Sequence, residues 1–173
     1  MAINKKVEQE FNKQINEELF SEYLYLAMSA YFEDINLPGF ANWMRVQAKE
    51  EHEHGMRFYN HLVERGGRVE LDAIEKPQKE WKDPLDAFEA AYKHEQHITA
   101  RINKLVELAS AEKDHPGSTM LIWFVDEQVE EEQQTDEIAQ KLKMIKEDAA
   151  SLYMLDKELG ARVFTPAADM NKE

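Results

Sequence analysis

The chain has 173 residues, a length that suits one domain with a full hydrophobic core. Its formal net charge is −14, which repels phosphate backbones and disfavours a nucleic-acid partner. Cysteine is absent, which excludes disulfides, thiolate metal sites, iron–sulfur clusters and a cysteine nucleophile.

The sequence shows neither a membrane span nor a signal peptide. No apolar run approaches the roughly 20 residues that a transmembrane helix needs. The first residues, MAINKKVEQEFNKQ, lack the apolar core of a signal peptide. We therefore expect a soluble, cytoplasmic protein that has no membrane partner.

Glycine and proline are few and clustered, and the uninterrupted segments between the clusters predict four long helices and a short fifth one. The second helix ends at Gly66-Gly67, which is a C-cap signal. Asp83-Pro84 opens the third helix, because Asp is a good N-cap and Pro suits the first helical position. The predicted bounds are about 4–34, 39–65, 84–112 and 117–147 for the long helices and about 149–161 for the short one.

The lengths of the connections predict how the helices are arranged. The first two helices are joined by a short turn, and so are the third and fourth, so that each pair should form an antiparallel hairpin. The segment between Gly66 and Asp83 is long enough to run the length of the bundle. We therefore predict an all-α fold that spans residues 1–173 as a single domain. It is a ferritin-like four-helix bundle, made of two antiparallel hairpins joined by a long crossover, plus a short C-terminal fifth helix.

The apolar stripe of each long helix is interrupted at mid-height by polar residues. The interrupting residues on the four stripes are Glu18 and Glu22; Gln47, Glu51 and His54; Glu95; and Gln128 and Glu131. A buried carboxylate is costly unless it is paired with a base or bound to a metal. Almost no lysine or arginine lies on the same stripes, so carboxylates at matching heights predict a bound cation.

The types of these side chains indicate the class of metal. Carboxylates with one imidazole and one amide are oxygen-rich ligands, which suit Fe or Mn better than a structural zinc site. Di-iron bundles place one Glu on each of two helices and Glu-x-x-His on each of the other two. Here Glu18 and Glu95 are the single glutamates, Glu51-x-x-His54 is one motif, and Gln128-x-x-Glu131 replaces the other. Taken alone, Glu-x-x-His is more often a surface pair, and a buried salt bridge is the alternative for the single glutamates.

Over essentially its whole length the sequence resembles the bacterial and archaeal non-haem ferritins. The motifs that carry the resemblance are QINEELFSEYLYL, KEEHEHGM, YKHEQ, WFVDEQVEEE and LDKEL, which are specific only together. The resemblance implies a homo-oligomeric, 24-subunit hollow shell with a ferroxidase di-iron centre in each subunit. The implied function is iron storage and detoxification. Fe(II) is oxidised with O2 or H2O2, and Fe(III) is delivered for mineralisation as hydrated ferric oxide inside the shell.

The resemblance also implies which residues hold the two irons. Glu18, Glu51 and His54 match the ligands of the first iron. Glu51, Glu95 and Glu131 match the ligands of the second, so that Glu51 bridges the pair.

Further residues match positions around the di-iron centre. Gln128 matches a residue near the second iron that is able to contact iron or oxygen. Tyr25 matches a tyrosine close to the centre and Trp123 a neighbouring tryptophan. General packing accounts for both without a redox role, whereas the resemblance implies a direct catalytic role for Tyr25 as the alternative. The residues that match a nearby third iron site, which would share Glu131, are Glu50, Glu127 and Glu130.

Two departures from the haem-containing bacterioferritins lead us to expect no haem. Those proteins repeat Glu-x-x-His on the fourth helix, where this chain has Glu131 in place of the histidine. Their haem methionine follows the bridging glutamate, where this chain has His52. We expect His52, His61, His94 and His97 on the surface, and Met28, Met44, Met120 and Met144 in the core.

Three other functions are weighed against iron storage. A structural cage subunit that only nucleates mineral would lack part of the ligand set, which is complete here. A di-iron oxidase or peroxidase of the rubrerythrin type usually adds a cysteine-bound iron domain, and this chain has no cysteine. A DNA-protecting mini-ferritin has its iron site between subunits, and no basic tail is present here. The sequence leaves open the preferred oxidant and the symmetry of the shell, octahedral or tetrahedral.

Overall fold

The computed structural model describes residues 3–146 and 148–166, and these residues form five helices and no strand, which confirms the predicted all-α class. The helices are α1 Lys5–Asp34, α2 Pro38–Glu64, α3 Pro84–Ala111, α4 His115–Ile145 and α5 Ala149–Leu159. The predicted bounds agree to within about two residues. The predicted end of the fourth helix, Glu147, lies outside the described residues, as do residues 1–2 and 167–173 of the predicted single domain.

Local chemistry explains where the helices begin and end. Asp83 caps α3, because its side chain accepts a hydrogen bond of 2.9 Å from the backbone N–H of Asp86. The chain leaves α2 at Gly66, whose φ of 69° lies in the left-handed region that favours glycine. α4 begins two residues earlier than predicted, because Pro116 lies in its first turn, where a missing N–H costs nothing.

The helices form two hairpins joined by the long crossover. α1 packs mainly against α2, and α3 packs mainly against α4. The side chains of Asn12 and Asn16 bind the backbone of the crossover near its beginning. Trp81, near its end, is buried and packs edge-on against Tyr31. The crossover therefore runs along α1, from one end of the bundle to the other. No helix among the described residues is both long and apolar enough to cross a membrane.

Two apolar clusters fill the bundle, and a polar layer separates them. One cluster includes Phe32, Phe40 and Phe88 and reaches α5. The other includes Phe11 and Phe58 and lies at the opposite end. The layer between them, which we call the carboxylate layer, contains Gln14, Glu18, Gln47, Glu51, His54, Glu95, Gln128 and Glu131, all buried.

The methionines follow the prediction only in part. Met28 and Met44 are fully buried in the cluster next to α5, as predicted. Met120 is half-buried. Met144 is 75% exposed, so its prediction as a core residue was wrong. It lies in the last turn of α4, beside the buried Leu142 but on the outer face of the helix.

Candidate metal centre

The carboxylate layer brings together five side chains from four helices: Glu18 of α1, Glu51 and His54 of α2, Glu95 of α3 and Glu131 of α4. Each of them is at most 3% exposed. They form two groups that share Glu51, and within each group one ligand atom per residue lies within 4.8 Å of the others. The two groups are the same ligand sets that the resemblance implies for the two irons. The role of these residues as iron ligands stays a prediction.

The Glu51-x-x-His54 spacing places both side chains on one face of α2. His54 Nδ1 lies 3.5 Å from Glu51 Oε2, which is long for a hydrogen bond and suits two ligands of one metal ion. The His54 ring packs edge-on against Trp123 and Phe124, with centroid distances of 5.3 and 5.9 Å. Trp123, which the resemblance places near the centre, therefore helps to orient the imidazole.

Burial dominates the electrostatics of the layer. Desolvation raises the pKa of Glu18, Glu51 and Glu95 from 4.5 to about 8, and for Glu18 and Glu95 the charge of Glu51 is the next cause. Burial likewise raises the pKa of Glu131 well above its ordinary value. Four carboxyl groups this close cannot all ionise without a cation among them. In addition, Glu18 Oε2 is buried without a hydrogen-bond partner, so the layer contains an acceptor that a metal ion would satisfy.

Two buried amides hold carboxylates of the layer. Gln14 Nε2 donates to Glu18 at 2.8 Å. Gln47 Nε2 donates to Glu51 at 2.9 Å and to Glu131 at 2.5 Å. In α1 and in α2 the glutamine lies four residues before its glutamate, so each pair occupies one helix face. The amides therefore orient three of the five candidate ligands.

Tyr25 and Gln128 act on Glu95. The Tyr25 hydroxyl donates to Glu95 Oε1, and burial followed by the charge of Glu95 raises the pKa of Tyr25 well above its ordinary value of 10.0. Gln128 Nε2 donates, at 3.3 Å each, to the backbone carbonyl and to a carboxylate oxygen of Glu95 and to Thr99 Oγ1. In this arrangement Gln128 is a donor, and ligation of iron by its oxygen requires the amide to turn over.

The residues predicted for a third iron lie at the edge of the layer, where Glu50 and Glu127 are half-buried and Glu130 is exposed. Glu127 Oε1 lies 3.8 Å from His54 Nε2. His54, Glu127 and Glu131 form a third group of side chains that could hold a metal ion.

Glu50 does not belong to any such group among the described residues. Instead, Arg162 Nη2 lies 2.6 Å from Glu50 Oε2 and forms an ion pair with it. Burial raises the pKa of Glu50 and of Glu127, and the charge of Glu130 contributes to both shifts. The three predicted ligands are thus neighbours, but an arginine holds one of them.

Sequence reasoning missed three residues that act on the layer: Gln14, Arg101 and Arg162. Gln14 could have been found, because its spacing to Glu18 repeats the spacing of Gln47 to Glu51. Arg101 Nε donates to Gln14 Oε1 at 3.0 Å. No local signal points to Arg162, which lies after α5 and is far along the chain from the residues it contacts.

Of the four histidines predicted to lie on the surface, two are exposed and two are half-buried. His52 and His97 are exposed, as predicted, and contact the half-buried Glu22 and Glu17, respectively, at 3.0 Å. His61 and His94 are half-buried, so their prediction as surface residues was wrong. His94 Nε2 lies 2.7 Å from Ser21 Oγ, and burial lowers the pKa of His94 to about 4. Packing of α1 against α3 covers this ring, which the sequence of α3 alone does not reveal.

The family model and the curated proteins that are similar to this chain point to the same family, the ferritins. Residues 8–145 match the family model Ferritin, described as a ferritin-like domain. The chain is 38% identical over 162 residues to the bacterial non-heme ferritin of Staphylococcus aureus (strain USA300). The matched region covers 94% of this chain and 98% of that relative. The chain is 39% identical over 162 residues, with the same coverage, to the bacterial non-heme ferritin of Staphylococcus haemolyticus (strain JCSC1435).

Solved structures resemble the whole bundle. A closed form of the Archaeoglobus fulgidus ferritin, engineered by site-directed mutagenesis, is 52% identical with a TM-score of 0.94, covering 95% of this chain and 100% of that one. An open-pore ferritin from the same hyperthermophilic archaeon is 50% identical with a TM-score of 0.93, covering 94% and 100% of the two chains.

Proposed function

The chain belongs to the ferritin family, and from this premise we propose that its carboxylate layer is a ferroxidase di-iron centre. The chain is a ferritin of the iron-storing, ferroxidase type. Glu18, Glu51 and His54 hold one Fe(II), and Glu51, Glu95 and Glu131 hold the other. The observation that carries this assignment is the pair of buried groups that share Glu51 at mid-height in the bundle.

Iron is the substrate, and its binding displaces protons. The pKa of about 8 for Glu18, Glu51 and Glu95 keeps much of the layer protonated at neutral pH while no cation is present. Two Fe(II) ions supply four positive charges, which stabilise the ionised carboxylates and release those protons. Gln14, Gln47 and Tyr25 keep the carboxylate oxygens directed at the ions.

The anionic ligands then favour oxidation, because they stabilise Fe(III) more strongly than Fe(II). Two Fe(II) ions give two electrons to O2, which takes up two protons and leaves as H2O2. If H2O2 is the oxidant, the same two electrons and two protons yield two molecules of water. The ferric ions leave and hydrolyse to hydrated oxide. One imidazole among carboxylates offers few neutral donors, as suits a site through which iron passes.

We place a third iron position at the edge of the layer, with Glu50, Glu127 and Glu130 as ligands and Glu131 shared. The His54, Glu127 and Glu131 group supports it. Homo-oligomeric assembly follows from the likeness to the archaeal ferritins. We propose that 24 copies form a cytoplasmic shell around the mineral. The expectation that no haem binds stays a prediction.

The test is Glu51→Ala, which removes the ligand that both irons share. Stopped-flow absorbance with two Fe(II) per subunit and O2 should show a loss of oxidation rate of about 100-fold or more. Glu53→Ala is the matched control, because Glu53 is an exposed glutamate on the same turn of α2 and should leave the rate unchanged. Size-exclusion chromatography of both variants checks assembly. An unchanged rate in assembled Glu51→Ala would contradict the assignment.

A further inference from the structure

The segment after α5 places an arginine against the carboxylate layer. The Arg162 guanidinium stacks on the Trp43 ring, 4.3 Å from its centroid. Its Nη2 donates to Glu50 Oε2 at 2.6 Å, to Gln47 Oε1 at 2.9 Å and to Gln134 Oε1 at 3.3 Å. The side chains of Arg162 and Glu50 are 17% and 22% exposed, so solvent screens this ion pair less than an open surface pair.

The docking of α5 on the beginning of α2 determines where Arg162 lies. Asp156 Oδ1 accepts hydrogen bonds from the backbone N–H groups of Gly39 at 2.7 Å and Phe40 at 3.1 Å. Asn42 Nδ2 donates to the backbone carbonyl of Arg162 at 2.9 Å. Gly39 permits this approach, because a Cβ there would lie 1.7 Å from the Asp156 carbonyl oxygen. Arg162 is therefore held by the fold beside Glu50.

Resting on the proposed third iron position, we propose that Arg162 is a built-in competitor of iron for Glu50. The guanidinium occupies Glu50 while the third position is empty. A third Fe(II) at Glu50 would share the carboxylate whose Oε2 Arg162 holds, and the two cations repel each other. Arg162 thereby lowers the affinity of the third position and favours passage of iron over its retention.

The same guanidinium also acts on two of the proposed di-iron ligands, but only indirectly, through the side-chain amide of Gln47. Gln47 Oε1 accepts from Arg162, and Gln47 Nε2 donates to Glu51 and Glu131. Arg162 is thus a positioning residue for the pair and a direct competitor only at Glu50. This difference separates its two effects: loss of the cation should strengthen binding of the third ion without adding to the affinity of the first two.

Anaerobic titration calorimetry with Fe(II) tests the proposal, since it counts the ions bound per subunit and measures the affinity of each step without oxidation. Arg162→Gln removes the cation, and we expect the third ion to bind about tenfold to 100-fold more tightly. The charge-matched control is Arg45→Ala, because Arg45 forms an exposed pair with Glu33 and should leave all steps unchanged. Arg162→Lys retains a cation without the planar fork and serves if the Gln variant does not fold. It should give a smaller gain.

A double variant tests whether Glu50 is the carboxylate for which Arg162 and the third Fe(II) compete. Glu50→Gln should weaken the third step, and Arg162→Gln added to Glu50→Gln should bring no gain, because the contested carboxylate is gone. The proposal would be overturned if Arg162→Gln left the affinity for the third Fe(II) unchanged. It would also be overturned if the double variant showed the same increase in that affinity as Arg162→Gln alone. The proposed function fails separately: it is wrong if the unaltered protein binds no pair of Fe(II) ions that Glu51→Ala abolishes.

Discussion

Two corners of the carboxylate layer are built alike, each from an arginine, a glutamine and the glutamate that the glutamine holds. At the Arg101 corner, Arg101 of α3 donates to Gln14, whose amide nitrogen donates to Glu18. At the Arg162 corner, the arginine after α5 donates to Gln47, whose amide nitrogen donates to Glu51 and Glu131. Each corner thus keeps a cation one amide away from candidate iron ligands.

The corners differ in where the arginine comes from and what else it binds. Arg101 lies inside a long helix, and its Nη1 is 3.5 Å from Glu17, which is not a predicted ligand. Arg162 lies beyond a short helix, and its Nη2 binds Glu50, which is predicted to take part in the third iron position. Both corners therefore share the same chain of hydrogen bonds, and the Arg162 corner adds the contact with Glu50 from which, on our proposal, iron displaces the arginine.

The largest expected effect concerns the layer that both corners share, and it is a pH dependence of the metal-free protein. The folded pKa of about 8 for Glu18 and Glu51 lies above the ordinary value of 4.5, so the folded state binds more protons than the unfolded state between these values. The urea midpoint should therefore fall as the pH rises from about 5 to about 9, and added Zn(II) should reduce the fall.

Glu18→Gln at the Arg101 corner and Glu51→Gln at the Arg162 corner should each flatten this dependence, because burial raises the pKa of both carboxyl groups. Unequal flattening would show that the corners already differ without metal. A midpoint that rises over the same pH window would contradict the assigned direction of the shifts.

Gly39→Ala should break the Arg162 corner alone. The new Cβ would meet the Asp156 carbonyl oxygen at 1.7 Å and force α5 away from α2. We expect a loss of about 3 kcal/mol in the free energy of unfolding measured with urea, together with tighter binding of the third Fe(II). Gly55→Ala is the control, since its Cβ meets Glu18 Cβ at an ordinary 3.4 Å and should change stability by no more than about 1 kcal/mol. Equal stabilities of the two variants would contradict this reading.

The smallest expected effect compares the amides. Gln47→Leu removes the donor of two carboxylates, whereas Gln14→Leu removes the donor of one. Because a hydrogen bond to a charged group contributes roughly a factor of ten, the first two Fe(II) ions should bind about 100-fold more weakly in Gln47→Leu and about tenfold more weakly in Gln14→Leu. Anaerobic calorimetry measures both, and equal losses would mean that the corners support the pair equally.

Much of the fold and of the candidate centre could be predicted from the sequence, because both depend on local periodicity. Glycine and proline mark the helix ends, as Gly66 and Asp83-Pro84 show. The 3.6-residue period places Glu51 and His54 on one face and sets Glu18, Glu95 and Glu131 at the same height. Burial of these residues then follows from the apolar neighbours above and below them on each stripe.

What the sequence by itself determined is therefore the five helices, their order and a buried layer of carboxylates in need of a cation. Only the tertiary structure decided that His94 is covered, that Gln128 donates to Glu95 rather than presenting its oxygen, and that Arg162 reaches Glu50 across 112 residues of chain. The physical reason is that helical phase is set by neighbours in sequence, whereas the approach of α5 to α2 depends on a contact at Gly39 that no local pattern encodes.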